Sequence, residues 1–380
     1  MSVVQQKPVS ADALHGVERL LVKDKPRQNM SSKFHDMLAE RSYLIADGAT
    51  GTNLFGRGLE TGYPPELWNV ERPDDILWLH DSFLQAGSNL ILTNSFGGTS
   101  FRLKLHEAQD RVEELNHAAA VNAVSAVTSH RDKTGSDAII AGSIGPTGEL
   151  FEPLGALTPD AAFEAFKKQA MALANGGVDM LWVETMSSTE EVDAAVNAAK
   201  TTGLPVAVTM TFDTASRSMM GITPQQFAEQ ALALGVDVLG ANCGIGPAEL
   251  MHSMTGMATT ALAANMPMVA KGNCGIPAYV EGAIHYHGTP ELMASYALFA
   301  RDAGISIIGG CCGTTPAHVA AMSAALATRP AGALDVDHMQ AVLGTPWADV
   351  QIKADTDSGD DYNARTSEGG RRGRRGRRRS

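Results

Sequence analysis

Two cysteines stand side by side in the run GGCCG, at Cys311 and Cys312. Neighbouring cysteines rarely pair with each other, because the small ring that would close is strained. The flanking glycines let the backbone bend so that both sulfurs can face one point. Cys243, in GANCG, supplies a third thiol, and Cys274, in GNCG, is the fourth and last of the chain. Zinc favours tetrahedral sulfur ligation, and a catalytic zinc keeps one position open. Three thiolates on Zn²⁺ leave a net charge of about −1, and a substrate thiol entering the open position is deprotonated by the metal. It then attacks an electrophilic methyl carbon at neutral pH, where a free alkyl thiol is mostly protonated. A single cysteine is most often just a small buried residue. The clustering of these three argues for ligation instead.

Ligands so far apart in sequence need a scaffold that brings them together. Short apolar runs recur at 43–47, 89–93, 138–143, 180–184, 206–211, 238–242, 268–272 and 305–310. They are rich in Val, Ile, Leu and Ala without alternation, as parallel strands buried on both faces are. Segments such as 161–177 and 223–237 lie between them, opening near Ser, Thr, Pro or Asp and ending in Gly as helices do. Eight strands alternating with helices predict an α/β fold, the (β/α)8 TIM barrel, and 380 residues accommodate it. An open doubly wound sheet is the runner-up. The first strand, however, is followed by DGATGT, without the G-x-G-x-x-G spacing of a dinucleotide fold.

Active sites of such barrels lie at the C-terminal ends of the strands. Those ends read Asp47 and Gly48, Thr93 and Asn94, Ser143, Glu184 and Thr185, Asn242 and Cys243, Asn273 and Cys274, and Cys311 and Cys312. All four cysteines fall on one rim.

The motifs ADGATGTNL (46–54), AGSNLILTNSFGG (86–98), GSIGPTG (142–148), GANCG (240–244) and GGCCGTTPAH (309–318) resemble those of the homocysteine S-methyltransferase family. That family includes betaine–homocysteine methyltransferase and the homocysteine-binding module of cobalamin-dependent methionine synthase. The resemblance covers roughly residues 42–330. It implies a zinc-dependent methyltransferase that forms methionine, with Zn²⁺ on Cys243, Cys311 and Cys312 as metal ligands and catalytic centre. It also implies homocysteine held near Asp47, Gly48, Thr93 and Glu184. The residue chemistry agrees, since Glu184 can pair with an ammonium while Gly48 and Thr93 can donate to a carboxylate. Cys274 departs from the family pattern and reads as a small rim residue.

The methyl donor divides the family. Betaine users are expected to cage a quaternary ammonium with aromatics. Here Thr185 follows Glu184, Gly stands in NSFGGT where a Tyr is expected, and 61–74 offers Tyr63 and Trp68 without a clear match. Small residues leave the mouth open, as in the cobalamin-dependent branch. The chain shows no corrinoid module after residue 350, so a separate corrinoid protein is expected to deliver the methyl group. Direct use of betaine or a related donor is the alternative, with Tyr63, Trp68, Phe96 and Tyr286 as cage candidates. A zinc-binding thiol sensor is the non-enzyme alternative, disfavoured by Glu184 and Asp47.

Composition bounds the rest. The formal net charge is −12, and setting aside the seven arginines of the terminal RRGRRGRRR takes it to −19. An acidic body with a basic tail argues against a specific nucleic-acid enzyme. No apolar run reaches membrane-spanning length and no secretory signal opens the chain, so a cytoplasmic location without membrane partners is expected. Self-association into a homo-oligomer is compatible with the sequence. Residues 1–40 read as an N-terminal extension, 41–349 as the barrel and 350–380 as a disordered tail. His285 and His287 lack a third ligand at convincing spacing. Met251, Met254 and Met257 read as a packed helical stripe.

Overall fold

The computed structural model describes residues 32–275, 278–280 and 283–347. Strands β1 (Leu44–Ile45), β2 (Leu90–Leu92), β3 (Ile139–Ile144), β4 (Met180–Met186), β5 (Val206–Met210), β6 (Val238–Cys243) and β7 (Met268–Gly272) fall on the first seven apolar runs. A short antiparallel hairpin, β8 (Ala278–Val280) and β9 (Ala283–His285), follows and was not anticipated from sequence. β10 (Ile307–Gly310) is the last strand of the main sheet. The parallel order is β1-β10-β7-β6-β5-β4-β3-β2, and a parallel bridge from Ala46 to Leu90 closes the ends. Helices occupy the intervals between strands, giving a (β/α)8 barrel.

Local chemistry sets the helix starts. Thr158, Thr223 and Thr289 each precede a proline, and their side chains accept from the backbone N–H three residues on. Threonine satisfies an orphan donor, and proline at the first helical position forfeits no hydrogen bond. After Pro224–Leu234, Gly235 takes the left-handed conformation that lets the chain turn into β6.

Two cores result. One lies between the barrel wall and the helices. The other fills the barrel and includes Leu44, Ala46, Leu90, Leu92, Ile139, Ala141, Met180, Trp182, Val238, Val269 and Ile307. Strand alternation carries this inward face upward to Ser143, Glu184, Asn242, Lys271 and Cys311. The barrel interior thus changes from apolar to polar toward its C-terminal rim.

The helix Lys33–Arg41 seals the opposite end. Phe34 and Met37 are buried against the interior residues, and Lys33 Nζ donates to Asp179 at 3.1 Å and to the Ala138 carbonyl at 2.7 Å. All but the last residue of this helix falls in the stretch 1–40 read from sequence as an N-terminal extension, and its two apolar anchors, Phe34 and Met37, pack it against the barrel interior. Residues 1–31 and 350–380 lie outside the described residues. Among the described residues, no helix is long and apolar enough to cross a membrane.

Candidate active site

β6 and β10 bring the three cysteines together across one strand, β7. The Cys311 and Cys243 sulfurs are 3.3 Å apart and those of Cys243 and Cys312 are 3.8 Å apart, and all three lie within 4.8 Å of one another. None is in a disulfide. Sulfurs on a tetrahedral zinc at about 2.3 Å sit about 3.8 Å apart, so the spacing fits that ion.

The loops carrying them are held from several sides. Cys311 N–H donates to Gly272 O at 2.8 Å, and Cys312 N–H donates to Asn273 Oδ1 at 2.9 Å. Cys243 itself is left-handed, φ 62°. On β4, Thr185 is left-handed too, φ 61°, which is rare for a β-branched residue and persists only where neighbours enforce it. Asn242 supplies that enforcement. It accepts from Thr185 N–H at 2.9 Å, donates to Thr185 Oγ1 at 2.7 Å and points its amide at Cys311 Sγ, 3.9 Å away. The Tyr286 ring lies against Gly313, where a β-carbon would collide with it. The Tyr286 hydroxyl hydrogen-bonds Cys312.

Three thiols this close compete for protons. Hydrogen bonds from Cys243, Cys311 and Tyr286 hold Cys312 well below the usual thiol range. Cys243 is pushed well above it, chiefly by its bonds to Cys311 and Cys312. A divalent cation between the sulfurs would let all three ionise.

The sulfurs open onto a cavity of about 670 Å³ at the C-terminal mouth. Gly48, Thr93, Ser143, Glu184 and Lys271 line its inner part, and Phe55, Tyr63, Glu66, Phe96 and Arg102 its outer part. Glu184 is 8% exposed and accepts a short hydrogen bond from the Ser143 hydroxyl. Burial pushes its carboxyl up to about 7, against the pull of Lys271.

The other residues singled out from sequence are placed differently from one another. Asp47 does not line the cavity. Its carboxylate accepts from Leu92 N–H at 2.8 Å and from Lys271 Nζ at 2.5 Å, and so sits behind the lysine. Thr93 lines the cavity, but its hydroxyl is already committed. It accepts from Ser143 N–H at 3.0 Å, and because Ser95 Oγ donates to Ser143 O, the Thr93 proton goes to Ser95, 2.6 Å away. Gly48 N–H has no partner among the described residues. Cys274 is fully buried, 3.2 Å from Thr314 Oγ1, and lies outside the three-sulfur group. Trp68 is buried beneath the Arg72 guanidinium and does not reach the mouth, whereas Tyr63, Phe96 and Tyr286 do.

Sequence reasoning did not single out Lys271. Burial alone would discharge this lysine, but Asp47 and Glu184 outweigh that and raise its pKa. The available signal was a lysine within the otherwise apolar MVAKG strand.

Residues 44–326 match the family model for homocysteine S-methyltransferase. The methionine synthase of Mycobacterium tuberculosis (strain ATCC 25618 / H37Rv) is 30% identical over 310 residues, covering 77% of this chain and 25% of that protein. The methionine synthase of Mycobacterium leprae (strain TN) is 30% identical over 307 residues with the same coverage. The chain thus spans about a quarter of the length of these relatives. Among solved structures, the metallated homocysteine methyltransferase MmuM from Escherichia coli superposes with a TM-score of 0.63. It is 24% identical and covers 77% of this chain and 99% of that one, a likeness in fold.

Proposed function

The chain belongs to the homocysteine S-methyltransferase family, and from that premise we propose that it methylates the thiol of homocysteine to give methionine. Zinc held by Cys243, Cys311 and Cys312 is the proposed cofactor. The observation that carries the reading is the set of three free sulfurs, spaced for one tetrahedral ion, at the edge of a cavity that also holds Glu184. Zinc there would lower the pKa of an acceptor thiol and leave it nucleophilic at neutral pH.

The remaining steps belong to the chain. Glu184, fixed by Ser143, receives the amino acid's ammonium. Gly48 offers its free N–H to the carboxylate. Asn242 and Asn273 hold the cysteine loops so that the sulfurs converge. The apolar floor and Trp182 beneath exclude water from below, which strengthens the charged contacts above. A thiol sensor would have no use for this amino-acid-sized polar floor.

Homocysteine fills only part of 670 Å³, so the outer cavity is the place for the donor. We assign it to a methylated corrinoid presented by a separate protein at the open mouth, in keeping with the kinship to methionine synthases. One observation favours betaine as a second reading: Tyr63 and Phe96 line the outer cavity and Tyr286 stands beside the sulfurs, in reach of a quaternary ammonium between them. The test is a donor panel, assayed for methionine release by zinc-loaded protein, with and without a methylated corrinoid protein. Methionine formed only with the corrinoid protein supports the first reading. Efficient turnover of betaine alone replaces it with the second. No methionine with any donor overturns homocysteine methylation.

A further inference from the structure

We infer that Lys271 is a substrate-binding residue that takes the carboxylate of the amino-acid acceptor, so that acceptor choice depends on a buried ammonium as well as on the sulfurs. This rests on the reading of the cavity as an amino-thiol site. Three observations support it.

The first is position. Lys271 stands in register with Asn242 on β6 and Gly309 on β10, one residue below the cysteine loops. Its side chain follows Val269 on the inward face, and its Nζ lies 5.8 Å from the centroid of the buried Trp182 ring. Both Lys271 and Glu184 line the inner cavity. An amino acid whose ammonium meets Glu184 has its carboxylate two bonds away, on the same floor.

The second is valence. A lysine ammonium has three protons. One goes to Asp47 Oδ1 at 2.5 Å, and the other two have no acceptor among the described residues. Thr93, the other side chain considered for the carboxylate, has no spare proton. Gly48 N–H and the Lys271 ammonium are thus free donors on this floor, and Lys271 is the charged one.

The third is energetic. Lys271 is 3% exposed, and its partner Asp47 is equally buried. A buried ion pair seldom stabilises a fold relative to apolar residues of the same size. This one ends a wholly apolar stack where a hydrophobic pair would pack. The pair keeps the lysine charged without using up its donors, because Asp47 approaches from behind, tied to Leu92 N–H.

The experiment compares two thiols at equilibrium on the zinc-loaded protein: L-homocysteine and 3-mercaptopropylamine, which has the same thiol and amine but no carboxylate. Calorimetry gives the dissociation constants for wild type, Lys271→Met, Lys271→Arg and the double variant Asp47→Asn/Lys271→Met. The double variant removes both charges together, in case the single one leaves Asp47 buried and unpaired and fails to fold. Zinc content and thermal midpoint are measured on each. Wild type should prefer homocysteine. Lys271→Met and the double variant should lose about 10- to 100-fold in homocysteine affinity. Their affinity for the decarboxylated thiol should change by less than about threefold, with zinc retained, and Lys271→Arg should restore part of the preference. Equal loss of both ligands, or no loss of either, would assign the lysine a purely structural role and overturn the inference. Wild type that binds neither thiol would instead overturn the amino-thiol reading, and the inference with it.

Discussion

Replacing Glu184 by Gln should move affinity and stability in opposite directions, and both should depend on pH. The carboxyl lies against the polar layer at 8% exposure, and burial lifts it from 4.5 to about 7. The folded protein therefore holds this proton more tightly than the unfolded chain does. The stability this contributes is full below about pH 4.5 and is lost as pH rises through about 7. Glutamine carries no such penalty, so at about pH 8 the variant should be the more stable protein by up to about 3 kcal/mol, converging with wild type near pH 4.5. Homocysteine binding should go the other way. A charge-assisted contact to the ammonium is worth about 2–3 kcal/mol, so near pH 8 the variant should bind about 30- to 150-fold more weakly. Near pH 6 only about a tenth of Glu184 is ionised, and that gap should shrink about tenfold. The acceptor's own thiol proton contributes the same slope to both proteins and cancels in the ratio. Calorimetric titrations at the two pH values, with thermal melts of the metal-free proteins alongside, measure both effects. A ratio of affinities that stays constant from about pH 6 to about pH 8 would refute the assignment of Glu184 to the ammonium.

Cys312→Ala should abolish methyl transfer and cut bound zinc from about one per chain to well below that, by metal analysis after dialysis, whereas Cys274→Ala should leave zinc content unchanged. Asn242→Ala should cost about 2–3 kcal/mol in denaturant unfolding, because it frees Thr185 from its left-handed conformation and strands the Thr185 N–H it satisfied. It should also weaken zinc binding through Cys311 and Cys243. Phe34→Ala should lower stability by about 3–5 kcal/mol while leaving the homocysteine dissociation constant within about twofold, since the cavity it opens lies at the far end of the barrel.

The barrel was legible because strands buried on both faces cannot hide their composition. Runs such as VAVTM and LILT have no solvent side on which to place a charge, and MLWVE carries its one charge, Glu184, only where the strand reaches the cavity; between the runs the Thr-Pro starts at 158, 223 and 289 mark helices. The cysteines were legible for the related reason that strand ends in this fold converge on one rim. Other features depended on partners that sequence does not reveal. Lys271 reads as an intrusion in an apolar strand until Asp47, 224 positions away, supplies its counter-charge. Asp47 and Thr93 were recognisable as rim residues. Which way Asp47 turned, and whether Thr93 kept a free proton, were settled by Lys271 and Ser95 respectively. The hairpin of β8 and β9 has strands of three residues, too short for periodicity to register. The helix Lys33–Arg41 offers two buried anchors in nine residues, which only the open end of a barrel turns into a packed interface.

That helix has a kinetic corollary. With Phe34 and Met37 packed into the lower end, the chamber above the apolar layers is closed from below by the barrel core and opens toward the C-terminal rim. Two molecules that must meet there queue. Whichever reacts at the deep wall, beside Glu184 and Lys271, has to enter first and leave last. The bulkier one, seated among Phe55, Tyr63 and Phe96, acts as a stopper while it remains. Turnover should therefore follow a compulsory order, with acceptor before donor and the spent donor out before the product. A large excess of donor should trap the empty site and slow the reaction, an inhibition that rising acceptor concentration relieves. Steady-state rates over a grid of both concentrations would show it.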